Sequence, residues 1–101
     1  MKLERILTGV EYKILQGTLD KDVADIAYDY RKTVKGGMFV AIQGTVVDGH
    51  KFIDSAVEAG AEVIVAEKET SVENKNITVL LVENGRKALS LMSAAYFDYP
   101  A

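Results

Sequence analysis

A loop between two glycines carries residues that could bind an anion. The segment Gly44–Gly49 follows an apolar run typical of a buried strand and precedes a segment with helical spacing. In α/β sheets ligands bind here, outside the carboxyl end of a strand, because free N–H groups and the helix dipole favour negative charge. Glycines allow a phosphate close to the backbone, and Thr45 adds a hydroxyl donor. The pattern predicts a phosphate site, although two glycines that only turn the chain would look the same.

The same loop argues against ATP hydrolysis. Gly44 and Gly49 have the spacing of a Walker A motif, but His50 and Lys51 follow where that motif has Lys and then Ser or Thr. The lysine comes one position late, and the apolar Phe52 cannot ligate magnesium. We therefore expect this loop to hold a phosphate without cleaving it.

A second candidate segment, residues 28–32, combines aromatic and charged side chains at a predicted strand end. Tyr28 and Tyr30 offer stacking faces for a planar base, and the planar donor fork of Arg31 suits a phosphate. The alternative is that Asp29 and Arg31 form a local ion pair while the tyrosines pack at the edge of the sheet.

Composition argues against several other functions. The chain has no cysteine and a single histidine, His50, which we expect to hydrogen-bond to the backbone of its loop; Asp48 and His50 are a poor metal pair. The net charge is −3 and no Lys/Arg block occurs, so no nucleic-acid surface is expected. No apolar run reaches the ~20 residues of a membrane span, and no secretory signal follows the first residues. We therefore expect a cytoplasmic protein without a membrane partner.

The elements that must position these residues alternate between strands and helices. Apolar runs and alternation predict strands at 12–17, 23–28, 38–42, 63–66 and 77–82. Helical spacing predicts a turn at 3–7, a helix at 51–60 that Gly60 stops, and a last helix from Asn84 or Gly85. This order indicates an α/β fold: one small domain with a mixed, partly parallel sheet flanked by helices.

The order and spacing of four segments resemble those of the N-terminal domain of Mur ligases. Residues 28–32 (YDYRK), 36–44 (GGMFVAIQG), 48–53 (DGHKFI) and 59–61 (AGA) follow the family patterns D-S-R-K, G-D-x-F-V-A-x-x-G, D-G-H-x-F-I and G-A. Each piece is weak alone, but their combination over about 35 residues is specific. The first 28 residues look most like the family members that add the third residue of the peptidoglycan peptide, either diaminopimelate or L-lysine.

The resemblance implies a role for the domain. In this family the first domain binds the UDP part of UDP-N-acetylmuramoyl-L-Ala-D-Glu, while a central domain uses ATP and Mg²⁺ to form an acyl phosphate that the incoming amine attacks. Family contacts to uridine and diphosphate fall on Tyr28, Tyr30, Thr45, Val46 and Val47. Together with the residues argued above, the predicted substrate-binding set is Tyr28, Tyr30, Arg31, Gly44, Thr45, Val46, Val47, Asp48, Gly49 and His50. No catalytic residue or cofactor is expected in this chain.

The chain departs from the family pattern at two positions. Tyr30 stands where the family has a serine, so the hydroxyl that would meet the diphosphate is moved outward by a ring. Gly37 replaces the aspartate of the G-D turn, which we expect to alter the fold only slightly.

The resemblance also predicts further domains after this one. The segment 96–100 (YFDYP) matches the helix end that precedes the P-loop in family members. We therefore expect residues 1–101 to be one domain, inactive alone, with a P-loop within roughly 15 residues of Ala101 and with the ATPase and C-terminal domains as partners in the same polypeptide. Two alternatives stay open: the domain of the ligase that adds D-alanyl-D-alanine, and a non-catalytic α/β interaction domain without a nucleotide site.

Overall fold

The computed structural model describes residues 1–44 and 48–98. Three α-helices, five strands and two short 3₁₀ segments follow one another in these ranges. In chain order they are α1 Leu3–Ile6, β1 Lys13–Gln16, β2 Ile26–Ala27, a 3₁₀ turn Tyr30–Lys32, β3 Met38–Val40, a second 3₁₀ turn Gly49–Phe52, α2 Ile53–Glu58, β4 Val63–Ala66, β5 Thr78–Leu81 and α3 Gly85–Asp98.

The strands form one mixed sheet in the order β1-β5-β4-β3-β2. Strands β2, β3, β4 and β5 run parallel, and β1 pairs antiparallel with the edge of β5. The predicted α/β fold with a mixed, partly parallel sheet is therefore confirmed. Because four strands run in the same direction, their carboxyl ends meet at one edge of the sheet.

The central strands β3 and β4 are buried on both faces, which explains why they are continuous apolar runs. Successive side chains of a strand point to opposite faces, so Met38 and Val40 belong to a core with α1 and α3. Phe39 and Ala41 belong to a second core with Ile53 of α2 on the other face. Both faces of β4 are fully buried in the same way.

Some elements differ from their predicted extent. The strand expected at 23–28 is reduced to Ile26–Ala27, because Val23 donates its N–H to Met1 O and Ala24 donates to Gly36 O instead of joining the ladder. The first turn of the helix expected at 51–60 is a 3₁₀ segment. Leu91, an apolar residue in the last predicted helix, is 37% exposed.

Helix termination agrees more closely with the prediction. The helix α2 ends at Glu58, and Gly60 comes two residues later with φ +113°, a conformation that glycine adopts without a steric penalty. The short helical turn at the start and the long helix from Gly85 are also present. None of the helices in residues 1–44 and 48–98 has the length and apolar character needed to cross a membrane.

Candidate functional site

A cleft of about 480 Å³ opens at the carboxyl edge of the parallel strands. This volume lies within the range of pockets that take small organic ligands. Its wall comes from the segment after β2, the loop after β3, the second 3₁₀ turn and the start of α3. The lining residues are Tyr28, Asp29, Tyr30, Arg31, Ile42, Gly44, Gly49, Phe52 and Arg86.

The cleft brings together the two segments that the sequence singled out. Tyr28, Tyr30 and Arg31 lie in the same cavity wall as Gly44 and Gly49, although 13 residues separate Arg31 from Gly44 in the chain. Parallel pairing of β2 with β3 places the two segments side by side, since both come after carboxyl strand ends. The predicted residues Thr45, Val46 and Val47 lie outside the described residues.

Arg31 is engaged in a two-pronged ion pair with Asp29. Its Nε lies 3.1 Å from Asp29 Oδ1 and its Nη2 lies 2.9 Å from Oδ2, while its backbone N–H donates to Oδ1 at 3.0 Å. The hydrogen bond from the guanidinium is the main reason that the pKa of Asp29 is lowered and that of Arg31 is raised. The local ion pair, which the sequence left open as an alternative, is therefore present.

Gly49 lies against the end of the β3 segment. Its N–H donates to Ile42 O at 2.9 Å, and a Cβ at this position would lie 2.9 Å from both the N and the O of Ile42. Glycine is therefore required here by the packing of the chain on itself. The loop glycine lines the cleft, but chain packing is sufficient to explain it.

Asp48 and His50 form a hydrogen-bonded network beside the loop. Asp48 accepts from Lys68 Nζ at 2.6 Å and from the backbone N–H of His50 at 3.0 Å, which hold its pKa well below the ordinary value. His50 Nε2 accepts the N–H of Glu67 at 2.9 Å, so the ring proton lies on Nδ1, 2.7 Å from Asp48 Oδ1. The expected backbone hydrogen bond of His50 is confirmed.

Glu67, at the end of β4, joins three parts of the site. Its Oε1 accepts the N–H of Gln43 at 2.9 Å, next to Gly44, and its Oε2 accepts the N–H of Gly85 at 2.6 Å, at the start of α3. A Cβ on Gly85 would lie 2.9 Å from Oε2, so the glycine makes room for this carboxylate. The Glu67 carboxylate therefore connects the loop after β3 to the start of α3.

Sequence reasoning missed four residues of this site: Ile42, Phe52, Glu67 and Arg86. Ile42 and Phe52 lie in the predicted strand at 38–42 and the predicted helix at 51–60, and Glu67 directly follows the strand predicted at 63–66. One signal could have found Glu67 and Arg86: both come after parallel strands, so both belong at the same edge as the glycine loop.

Comparison with known proteins identifies the family. Residues 23–97 match the sequence profile described as "Mur ligase family, catalytic domain". This match covers well over half of the chain. The chain belongs to the Mur ligase family.

Two sequence relatives of this Mur ligase domain carry the same enzyme name. The chain is 47% identical to the UDP-N-acetylmuramoyl-L-alanyl-D-glutamate–2,6-diaminopimelate ligase of Clostridium tetani, over 99% of this chain and 21% of the relative. The enzyme of the same name from Bacillus velezensis is 41% identical, over 99% of this chain and 20% of the relative. The chain thus spans about a fifth of the length of these relatives.

Solved structures show the same fold. The UDP-N-acetylmuramoylalanyl-D-glutamyl-2,6-diaminopimelate–D-alanyl-D-alanyl ligase of Acinetobacter baumannii superposes with a TM-score of 0.77 at 22% identity, covering 93% of this chain and 21% of that one. The MurF ligase of Thermotoga maritima, in complex with ADP, gives a TM-score of 0.58 at 32% identity, over 68% of this chain and 16% of that one. The likeness to the Mur ligase N-terminal domain, inferred from four short segments, is confirmed.

Tyr30, which replaces a serine of the family pattern, packs against a second aromatic ring. Tyr30, at the family's serine position, stacks on Phe52 with ring centroids 4.5 Å apart and an interplanar angle of 13°. The phenol therefore packs against the 3₁₀ turn as part of the cleft wall. Tyr28 is 68% exposed and leaves its ring face available to a ligand.

The described part of this Mur ligase domain offers no cluster of side chains that would hold the Mg²⁺ that the family uses in its central domain. Residues 1–44 and 48–98 contain no group of three His, Cys, Asp or Glu side chains that could hold a metal ion. The Asp48 carboxylate beside the loop is taken by Lys68 and His50. The described residues at this loop therefore do not provide the carboxylate ligands of a magnesium site.

Proposed function

We propose that this domain binds the uridine diphosphate part of UDP-N-acetylmuramoyl-L-Ala-D-Glu in the cleft at the carboxyl edge of its sheet. It does so for a longer ATP-dependent ligase that adds the third residue of the peptidoglycan peptide. The observation that supports the proposal is the cleft itself, which unites Tyr28 and Tyr30 with Gly44 and Gly49.

The lining suits the two chemical parts of the ligand. An exposed tyrosine ring offers a face on which a planar base can stack, as Tyr28 does here. The anionic diphosphate is matched by the backbone near Gly44 and by the guanidinium of Arg86, since both groups favour an anion. The chain's own role is to bind and orient the sugar nucleotide, and no residue of the cleft is assigned a bond-making step.

The sequence relatives support the choice among Mur ligases. Those at 47% and 41% identity over nearly the whole chain are named diaminopimelate ligases, whereas the MurF ligase of Thermotoga maritima matches at 32% identity over 68% of the chain. We therefore assign the domain to the third-residue step. In this proposal ATP, Mg²⁺ and the bond-forming residues belong to further domains of a cytoplasmic enzyme, which are the partners of this one.

The experiment is an NMR titration of the ¹⁵N-labelled 101-residue chain with UDP. We expect the amides of Tyr28, Gly44 and Gly49 to shift at millimolar ligand, while those of Lys13–Gln16, at the far edge of the sheet, stay in place. An absence of shifts around the cleft would refute the nucleotide site and favour the interaction-domain alternative.

Two matched variants test the contribution of the base. Tyr28→Ala should weaken UDP binding at least about fivefold, since stacking of a base on an aromatic side chain contributes roughly 1–3 kcal/mol. Tyr12→Ala removes another exposed tyrosine, next to β1 and outside the cleft, and should leave the affinity unchanged. Equal effects of the two variants would contradict the assignment.

A further inference from the structure

We propose that Arg86 is the residue whose side chain binds the diphosphate of the nucleotide, an inference that rests on the proposed function. Arg86 is the second residue of α3 and lines the cleft together with Gly44 and Gly49. Neither the family patterns at the two predicted segments nor the composition of the glycine loop gives it a role.

The other arginine of the cleft, Arg31, is already paired with a carboxylate. The Nε and Nη2 of the Arg31 guanidinium donate to Asp29, at 3.1 and 2.9 Å, and the two formal charges cancel. A phosphate that approached this pair would meet the Asp29 carboxylate as well as the guanidinium. Arg31, the arginine that the sequence favoured for phosphate binding, is therefore poorly suited to bind a dianion.

The remaining positive charge of the cleft is that of Arg86. The side chain of Arg86 is exposed and makes no hydrogen bond or ion pair within residues 1–44 and 48–98. Among the described lining residues, Asp29, Arg31 and Arg86 are the charged ones, and the first two pair with each other. The net positive charge of the described lining thus comes from Arg86, whose planar fork can bind two phosphate oxygens at once.

The Glu67 carboxylate positions the start of α3, which carries Arg86. Glu67 accepts the N–H of Gly85, the residue just before Arg86, and the N–H of Gln43, the residue just before Gly44. One carboxylate thus sets the distance between the start of α3 and the loop after β3. Glu67 is a positioning residue in this proposal, and Arg86 is the residue that touches the ligand.

The next residue of α3 offers a matched control. Lys87 carries the same charge on the same helical turn, but it lines a different cleft, formed with Gly9, Val10 and Glu11. Arg86→Ala and Lys87→Ala therefore change the net charge of the chain equally, and only the first removes a cation from the candidate site. Both side chains are exposed, so both variants should keep the fold.

The test measures the affinity of the 101-residue chain and the two variants for UDP and for uridine. Arg86→Ala should raise the dissociation constant for UDP roughly tenfold, as expected for the loss of a hydrogen bond between charged groups. The same variant should leave the affinity for uridine, which has no phosphate, within about twofold of the wild-type value. Lys87→Ala should change either affinity by less than about twofold, because Lys87 contributes only distant, screened charge.

The outcomes separate the two proposals. If the wild-type chain shows no UDP binding at the cleft, the proposed function fails and the role of Arg86 fails with it. If the wild-type chain binds UDP but Arg86→Ala weakens UDP no more than Lys87→Ala does, only the role of Arg86 is overturned. Equal loss of UDP and uridine binding in Arg86→Ala would also overturn it, because the side chain would then act on the base or on the shape of the cleft.

Discussion

Replacing Glu67 by alanine should loosen the sheet edge on which the cleft is built. The substitution removes the acceptor of two backbone N–H groups that belong to different elements, Gln43 after β3 and Gly85 at the start of α3. The backbone N–H that Glu67 donates to His50 is kept, since it does not depend on the side chain. The variant therefore tests the side-chain carboxylate separately from the backbone of Glu67.

The expected loss of unfolding free energy depends on how exposed the two N–H donors are to water. The N–H of Gln43 is exposed and can turn to water, so its loss costs about 0.5 kcal/mol, the lower end for a net hydrogen bond. The N–H of Gly85 is half-buried at a helix start, where losing a capping acceptor costs about 1–2 kcal/mol. We expect Glu67→Ala to lower the free energy of unfolding by about 2 kcal/mol, and Glu67→Gln, which keeps one acceptor oxygen, by about half as much.

Urea denaturation of the 101-residue chain measures this difference. Glu69→Ala is the control, because it removes the same charge two residues later from an exposed side chain, and it should cost less than about 0.5 kcal/mol. Glu67→Ala should also weaken UDP binding, since Gly44 and Arg86 lose their common anchor. If Glu67→Ala and Glu69→Ala unfold at the same urea concentration, the bridging role of the carboxylate is refuted.

Two further predictions concern the loop. Gly49→Ala should cost about 1–3 kcal/mol of unfolding free energy, because the new Cβ would lie 2.9 Å from the backbone N and O of Ile42; an unchanged urea midpoint would mean that the 3₁₀ turn is free to move. Asp48 has a lowered pKa in the folded chain, so its contribution to stability is complete above the ordinary value of 3.8 and is lost as the pH falls through the folded value. The difference in unfolding free energy between the wild type and Asp48→Asn should therefore be largest near pH 7 and shrink below pH 3.8, and a difference independent of pH would contradict this.

Much of the fold could be predicted from apolar patterning. The continuous apolar runs of β3 and β4 indicated strands buried on both faces, and the structure buries them between α1 and α3 on one side and α2 on the other. The strand at 23–28 was predicted too long because alternation reports which face a residue occupies, and not which backbone groups pair. The side chains do alternate as expected, with Val23 and Ala27 buried, while the N–H of Val23 goes to Met1.

Half of the candidate site was also visible in the sequence. The two segments around Tyr30 and Gly44 were chosen by residue type and by position after a strand, and the structure places them in one cleft. Residue type could not show that Arg31 would be occupied by Asp29, since an Asp two residues before an Arg is as compatible with an open side chain as with a closed pair.

The family, the α/β class and the candidate glycine loop could be identified from the sequence alone, because they depend on local patterns and on their spacing along the chain. Tertiary contacts were needed to show which cation of the cleft has no carboxylate partner and which side chain joins the loop to α3. Arg86 and Glu67 lie 42 and 23 residues from Gly44 in the chain, and they reach its neighbourhood because parallel pairing of β3, β4 and β5 brings all three strand ends to one edge. That proximity is a property of the sheet order, which no local pattern encodes.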